Sequence, residues 1–102
     1  MSEIEILAYR AKPGMRAKLA DLSALHGPLL RRLGYVTAGP DHVLWTSDDT
    51  LLRLVKWTEG AKAKAARHPD LRAMGWDLDA VADRIDADAV PEAADLLSKV
   101  SH

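Results

Sequence analysis

The spacing of apolar residues changes period along this chain, and the order of those changes limits the folds that it can adopt. Apolar side chains fall on both faces of an alternating stretch in residues 4–11, as in a β-strand. In residues 15–33 the leucines recur every three or four positions, as on one side of an α-helix. Two further alternating stretches, residues 35–46 and 51–58, are joined by the polar sequence TSDDT, which predicts a hairpin.

Helical spacing returns after the hairpin. Residues 59–68 and 71–85 are predicted to form two helices. Pro69 separates them, because proline lacks the amide hydrogen that a helix interior needs. Thr58 is expected to cap the first helix and Asp70 the second.

The C-terminal segment after residue 85 allows two interpretations. It could contain a short fourth strand near Val90 or Leu96, or a last helix that begins at Pro91, which local helix propensity favours. The element order is β-α-β-β-α with a potential last strand. This order predicts one domain over residues 1–102, an α+β subunit of the ferredoxin-like type.

Glycine and proline residues indicate where elements are interrupted. Gly27 and Pro28 interrupt the first helical stretch and predict a kink or two shorter helices. Gly34 suits the left-handed position that follows a helix. Gly39 and Pro40 predict a bulge or an edge position in the first arm of the hairpin, because proline cannot donate to a central ladder.

Composition and charge exclude several classes of function. The chain has 14 Lys and Arg residues against 15 Asp and Glu residues, so no electrostatic case exists for binding nucleic acid or anionic membranes. It contains no Cys, Asn or Gln, and no pair of histidines has metal-ligand spacing, so no metal site is expected. No glycine-rich phosphate loop is present, and no haem, flavin or other cofactor is expected. The acidic N-terminus is unlike a signal peptide, and a cytoplasmic protein is expected.

Both faces of the first and third predicted strands are apolar. Residues 4–11 and 51–57 place large side chains on each side, whereas two helices can cover only one face of a sheet. The uncovered face needs another apolar surface. The pattern therefore predicts a homodimer in which two sheets pack face to face.

Two stretches of sequence resemble the antibiotic-biosynthesis-monooxygenase-like family. They are ILAYRAKPGMRAKLADL near the N-terminus and LVKWTEGAKAKAARHPDLRAM in the middle of the chain. The second contains a strand that ends in Trp, a short polar step, a short helix, a break with Pro and a second helix. The resemblance extends to about Ile85 and implies a dimeric α+β barrel.

The resemblance also implies a pocket between the sheet and the helices of each subunit. Some members of this family oxidise phenolic polycyclic compounds with dioxygen and no cofactor, and a related branch degrades haem. The family's Trp corresponds to Trp57. A histidine common in the following helix is replaced here by Ala65 or Ala66, and the Asn of the haem-degrading branch is absent. Haem degradation is therefore disfavoured.

The candidate site residues follow from what cofactor-free oxygenation needs, which is a flat dry cavity, a base and a donor to the substrate anion. The candidates are Trp57, Trp45 and Trp76 as walls, His26 or His42 as the catalytic base, and Tyr9 or Arg53 as the donor. Trp57 has a simpler interpretation as a core residue where strand meets helix. His68 has one as a helix cap or surface residue.

Two functions remain open from the sequence. One is a cofactor-independent monooxygenase that acts on a small hydrophobic or phenolic polycyclic substrate. The other is a non-catalytic dimer that binds a small hydrophobic molecule. RNA binding, which shares this topology, is disfavoured because LLRLVKWT lacks the aromatic and basic pattern of an RNA-recognition strand.

Overall fold

The computed structural model describes residues 3–37 and 42–100, and within these residues four strands form one antiparallel sheet. The elements in chain order are β1 (Glu3–Ala11), α1 (Arg16–Arg32), β2 (His42–Trp45), β3 (Thr50–Trp57), α2 (Ala61–Arg67), α3 (Pro69–Val81), β4 (Ala82–Ile85), a 3-10 helix (Ala87–Ala89) and α4 (Glu92–Val100). The strand order is β2-β3-β1-β4. The predicted ferredoxin-like α+β fold is confirmed.

One face of the sheet packs against α1, α2 and α3, and we call it the α1/α3 face. In the register of β1 with β3, Tyr9 lies opposite Leu51 and Leu7 lies opposite Arg53. Because side chains alternate along a strand, all four point to this face. Together with Leu19, Leu30, Leu71 and Leu78 from the helices, the apolar members of this set form the larger of two hydrophobic cores.

The opposite face of the sheet packs against α4, and we call it the α4 face. Ala8, Leu52 and Leu54 from the strands contact a cluster that includes Ala93 and Leu96 of α4. The predicted last helix after Pro91 is therefore confirmed. It buries within a single chain part of the apolar surface from which sheet-to-sheet dimerisation was predicted.

The fourth strand lies earlier in the chain than the sequence suggested. Residues Ala82–Ile85 pair with the C-terminal half of β1, so α3 ends at Val81 instead of continuing to residue 85. Of the two interpretations of the C-terminal segment, the strand near Val90 or Leu96 does not form, since Glu92–Val100 is helical. Pairing with β1 outweighs the weak helical preference of Ala82–Ile85, a tertiary effect that local spacing cannot reveal.

Helix α1 continues through Pro28, so the alternative of two shorter helices was wrong. Proline removes the hydrogen bond to the carbonyl of Ala24, but both residues are exposed and water can satisfy that carbonyl. The helix ends as predicted at Gly34, which has a φ of 75°. The Gly34 and Tyr35 amides donate to the carbonyls of Arg31 and Leu30, both at 3.0 Å, which is a Schellman motif.

The predicted hairpin is present but its first arm is shorter than residues 35–46. Within the described part of this arm, His42–Trp45 forms a strand with β3, and Val36 makes an isolated bridge to Trp57. Gly39 and Pro40, where a bulge or edge was predicted, lie outside the described residues. The TSDDT turn is confirmed, because the Thr46 amide donates to the Thr50 carbonyl at 2.9 Å.

Both predicted helix caps were wrong. Gly60, with a φ of 73°, precedes α2, and the Thr58 hydroxyl instead donates to the Gly34 carbonyl at 3.0 Å. At α3 the cap is His68, whose Nδ1 accepts from the Asp70 amide at 3.2 Å. Pro69 occupies the first helical position, where its missing amide costs nothing, and this moves the cap two residues upstream of Asp70.

Among the described residues, no helix has the length and apolar character that crossing a membrane would require.

Candidate functional site

A cavity of about 210 Å³ lies between the α1/α3 face of the sheet and the three helices that cover it. We call it the helix-side cavity. Its apolar lining comes from Leu7, Leu30, Leu71 and Leu78. Its polar and aromatic lining comes from Glu5, Tyr9, His26, Trp57, Lys62 and Arg84. An apolar cavity with a few polar groups on one side is the usual form of a small-molecule site.

Three of the sequence-predicted site residues line this cavity, and a fourth supports it. Tyr9, His26 and Trp57 are lining residues. Arg53 lies in β3, only 4% exposed, and its guanidinium reaches the His26 ring. The fold therefore brings together residues from β1, α1 and β3 that are far apart in the sequence.

The other three predicted site residues lie elsewhere. His42 pairs with Leu54 and so belongs to the α4 face, on the opposite side of the sheet. Trp45 packs near the hairpin turn, where the Arg16 guanidinium lies 4.6 Å from its ring centre. Trp76 is on the outer side of α3 and is 66% exposed.

The contact between Arg53 and His26 determines which ring nitrogen of the histidine carries the hydrogen. Arg53 Nη1 lies within hydrogen-bond distance of His26 Nδ1. A guanidinium can only donate, so Nδ1 must accept and the neutral ring carries its hydrogen on Nε2. In this neutral state His26 has a hydrogen-bond donor at Nε2. The sequence suggested His26 as a base, and that role stays a prediction.

Tyr9 supplies a second donor to the cavity. Burial, the largest influence, raises the pKa of Tyr9 above its ordinary value, while the nearby guanidinium groups of Arg84 and Arg53 partly offset this effect. The hydroxyl makes no hydrogen bond to another described residue, and no fully buried side-chain oxygen or nitrogen among those residues lacks a partner. The Tyr9 hydroxyl is therefore protonated at neutral pH and accessible from the cavity.

Trp57 forms part of the cavity wall and is fixed by Glu5. The indole Nε1 donates to Glu5 Oε1 at 3.1 Å, and Lys62 Nζ lies 2.8 Å from Glu5 Oε2. The hydrogen bond to Glu5 is the main reason that the pKa of Lys62 is raised. Trp57 is 6% exposed and packs in the larger core, as expected of a residue at the junction of strand and helix.

The sequence interpretation missed Glu5, Lys62 and Arg84. Glu5 could have been recognised as a charged residue on the same strand face as Leu7 and Tyr9, where a carboxylate needs a partner. Arg84 was assigned to a helix, so its position beside Tyr9 in the sheet could not be seen. Among the described residues, no group of three or more acidic or histidine side chains could hold a metal ion.

The fold of this chain is also found in a solved structure of another protein. No protein-family model matches the sequence, and a search of curated proteins finds no match either. Among solved structures, tetracenomycin F2 cyclase from Streptomyces glaucescens, a type-II polyketide cyclase, superposes with a TM-score of 0.58. The alignment covers 82% of this chain and 80% of the cyclase at 13% identity. The chain shares the fold of this cyclase.

This likeness agrees with the α+β architecture that the family resemblance implied. At 13% identity, the likeness is evidence for a shared fold and for nothing more specific.

Proposed function

We propose that this protein is an enzyme that binds a small phenolic or polyketide-like aromatic compound in the helix-side cavity and stabilises its enolate or phenolate anion. One observation carries the proposal. An apolar cavity presents an accessible Tyr9 hydroxyl together with His26, whose tautomer is fixed by the buried Arg53.

The size of the cavity supports a ligand of one or two rings. An apolar cavity of about 150 Å³ accommodates benzene, and sites for drug-sized ligands occupy about 300–1,000 Å³. The helix-side cavity, at about 210 Å³, lies between these sizes. A single substituted ring or two fused rings would fill it, with Trp57 as one wall.

The donors suit an anion that forms during a reaction. A phenol or enol that loses its proton places negative charge on an oxygen, and donors already aimed at that oxygen stabilise the charge strongly where water is excluded. Tyr9 and the Nε2 hydrogen of His26, which line the same cavity, are the candidates for these donors. Glu5, whose carboxylate lies in the same cavity, is the candidate to accept the proton.

Two reactions use this anion. In cofactor-free oxygenation the anion transfers one electron to dioxygen, the two radicals combine, and loss of water leaves a new carbonyl on the ring. In a cyclisation the enolate carbon attacks a carbonyl of the same molecule, and the new alkoxide takes up a proton. The sequence resemblance favours the first reaction and the fold shared with a polyketide cyclase favours the second.

The test combines a binding measurement with product analysis. A hydroxynaphthalene or short polyketide analogue is titrated into the protein while tryptophan fluorescence is recorded, and oxygen consumption and product mass are then followed. Turnover that consumes dioxygen identifies oxygenation. Turnover that continues without dioxygen identifies cyclisation. Binding without turnover leaves the non-catalytic alternative, and no binding contradicts the proposal.

Position 75 provides a test that the cavity itself is the site. A Cβ atom added at Gly75, a lining residue in α3, would meet no atom within 4 Å apart from its chain neighbours and the backbone of its own helix. Gly75→Leu should therefore fold normally and occupy part of the cavity, whereas Gly75→Ala should leave most of it open. Loss of binding in the leucine variant alone would support the site. Equal binding by both variants would contradict it.

We further propose that the protein is a homodimer that associates through the α4 face of the sheet. Helix α4 covers part of that face, but Ile4 of β1 and Leu97 of α4 itself remain 52% and 41% exposed. Burying such residues against a second copy would stabilise a small domain. Light scattering should give twice the chain mass of 11.2 kDa, and the mass of a single chain at micromolar concentration would contradict this proposal.

A further inference from the structure

Arg84 is a cation at the mouth of the helix-side cavity. It lies in β4 directly opposite Tyr9, with its guanidinium carbon 5.4 Å from the centre of the Tyr9 ring. The side chain is exposed, and within the described part of the chain it forms neither an ion pair nor a hydrogen bond. Stacking on Tyr9 restrains the guanidinium while its N–H groups stay available to a ligand.

Arg84 also marks the place where two cavities meet. Strand β4 pairs only with residues 8–11 of β1, so the other half of that strand edge borders a groove of about 530 Å³. We call it the edge groove. Arg84 and Glu5 line both the helix-side cavity and the edge groove. A ligand that enters the helix-side cavity from this side passes the Arg84 guanidinium.

The charges around this position favour an anion at Arg84 and disfavour one further along the groove. Glu5, the other shared residue, is held by Lys62 at 2.8 Å. Asp86 and Asp88 line the edge groove beyond Arg84 and would repel a negative ligand there. Among these residues, a negatively charged group is therefore best accommodated at the guanidinium itself.

We propose that Arg84 binds the carboxylate of the ligand, so that the compound recognised is a hydroxylated aromatic carboxylic acid. Its ring occupies the helix-side cavity beside Tyr9, and its carboxylate lies at the mouth, where a guanidinium can engage both oxygens. This inference rests on the proposed function, since it assigns a substrate class to the same cavity. It adds a specificity-determining residue that the sequence interpretation did not consider.

The test uses a hydroxynaphthoate and its primary amide, which differ in charge but have nearly the same shape. Isothermal titration calorimetry measures both compounds with the wild-type protein, with Arg84→Met and with Arg84→Lys. The methionine keeps a contact with the Tyr9 ring but loses the charge and the donors. Arg72→Met is the matched control, because Arg72 lies 5.8 Å from the ring of the exposed Trp76, which is not a lining residue of the helix-side cavity.

We expect the wild-type protein to bind the carboxylate more tightly than the amide. Arg84→Met should weaken carboxylate binding about tenfold or more, since a charged hydrogen bond is lost, and should change amide binding less than about twofold. Arg84→Lys should fall between, and Arg72→Met should match the wild type.

The remaining outcomes separate this inference from the function on which it rests. If both compounds bind and Arg84→Met affects neither of them, the assignment of Arg84 is wrong and the aromatic site stands. If Arg84→Met weakens the binding of both compounds equally, Arg84 shapes the cavity and does not distinguish a charged ligand from a neutral one. This result also overturns the inference. If neither compound binds to the wild-type protein, the proposed function and the inference both fail.

Discussion

The two faces of the sheet are built from the same strands but have different chemistry. On the α4 face, Ala8, Leu52 and Leu54 meet the apolar residues of a single short helix. On the α1/α3 face, Leu7 and Val55 alternate with Tyr9 and Arg53, and three helices leave a cavity above them. The first arrangement is an apolar core. The second also presents polar groups to a space that a ligand can enter.

The difference shows how a small sheet can separate stability from function. Polar groups on an otherwise apolar surface cost free energy unless they are paired, and here the pairing is specific. Arg53 contacts His26, and Glu5 holds both Trp57 and Lys62. A buried residue in the core of the α4 face should therefore affect stability without affecting ligand binding, whereas residues that line or support the helix-side cavity on the α1/α3 face should affect binding as well as stability.

The largest expected effect is that of Trp57→Ala. Removing this buried ring should lower the free energy of unfolding by about 3–5 kcal/mol, because it leaves a void under α2. Trp57→Phe should keep most of the packing and lose the hydrogen bond to Glu5, at a cost of about 1 kcal/mol. Urea unfolding measures both variants. An unchanged melting temperature for Trp57→Ala with lost ligand binding would instead make Trp57 a residue of the site alone.

Leu52→Ala is the corresponding large-to-small substitution in the core of the α4 face. Leu52 has no exposed surface, and truncation should cost about 2–5 kcal/mol of unfolding free energy. At a temperature where the variant is still folded, its ligand affinity should equal that of the wild type. A loss of affinity in the folded variant would show that the two faces are not independent.

Arg53→Met should separate stability from binding on the α1/α3 face. We expect a loss of about 1–2 kcal/mol of unfolding free energy, because Nδ1 of His26 no longer has its donor. Ligand affinity should fall by about tenfold or more, because the tautomer of His26 is no longer fixed. Calorimetric titration measures the ligand affinity of Arg53→Met and of Leu54→Met, which is a matched substitution on the α4 face. Equal affinities in the two variants would contradict the role of Arg53.

Tyr9→Phe should change how stability depends on alkaline pH. Burial raises the pKa of Tyr9 above 10.0, so the folded state keeps its proton after the unfolded state has lost it. The wild-type protein should therefore lose stability as the pH rises through 10.0 toward the folded-state pKa, and the variant should lack this contribution. Urea unfolding of both proteins over this range checks the sign. If the unfolding free energies of the two proteins depended on pH in the same way, burial would not raise the pKa of Tyr9.

The smallest expected effect is that of His42→Ala. His42 is a partly buried residue on the short edge strand β2 and belongs to the α4 face. Its removal should change the free energy of unfolding by less than about 0.5 kcal/mol and leave ligand binding unchanged. Activity that disappears in this variant but persists in His26→Ala would reverse the assignment of the two histidines.

Several features were determined by the sequence alone, and they share a local cause. The periods of the apolar residues specified β1, α1, β3 and the order of the elements as far as α3. The TSDDT turn and the helix end at Gly34 also formed as predicted. In each case the decisive interactions lie within a few residues, where backbone preference and side-chain spacing act directly.

The tertiary structure decided what depends on distant partners. The segment Ala82–Ile85 has no local feature that makes it a strand, and it becomes one because the edge of β1 is available to pair with it. That pairing places Arg84 beside Tyr9. Packing of α1 on the sheet likewise brings His26 to Arg53, and it leaves His42, equally plausible by residue type, on the other face. Spacing along the chain assigns residues to faces, but only the pairing and packing of whole elements bring side chains together around one cavity.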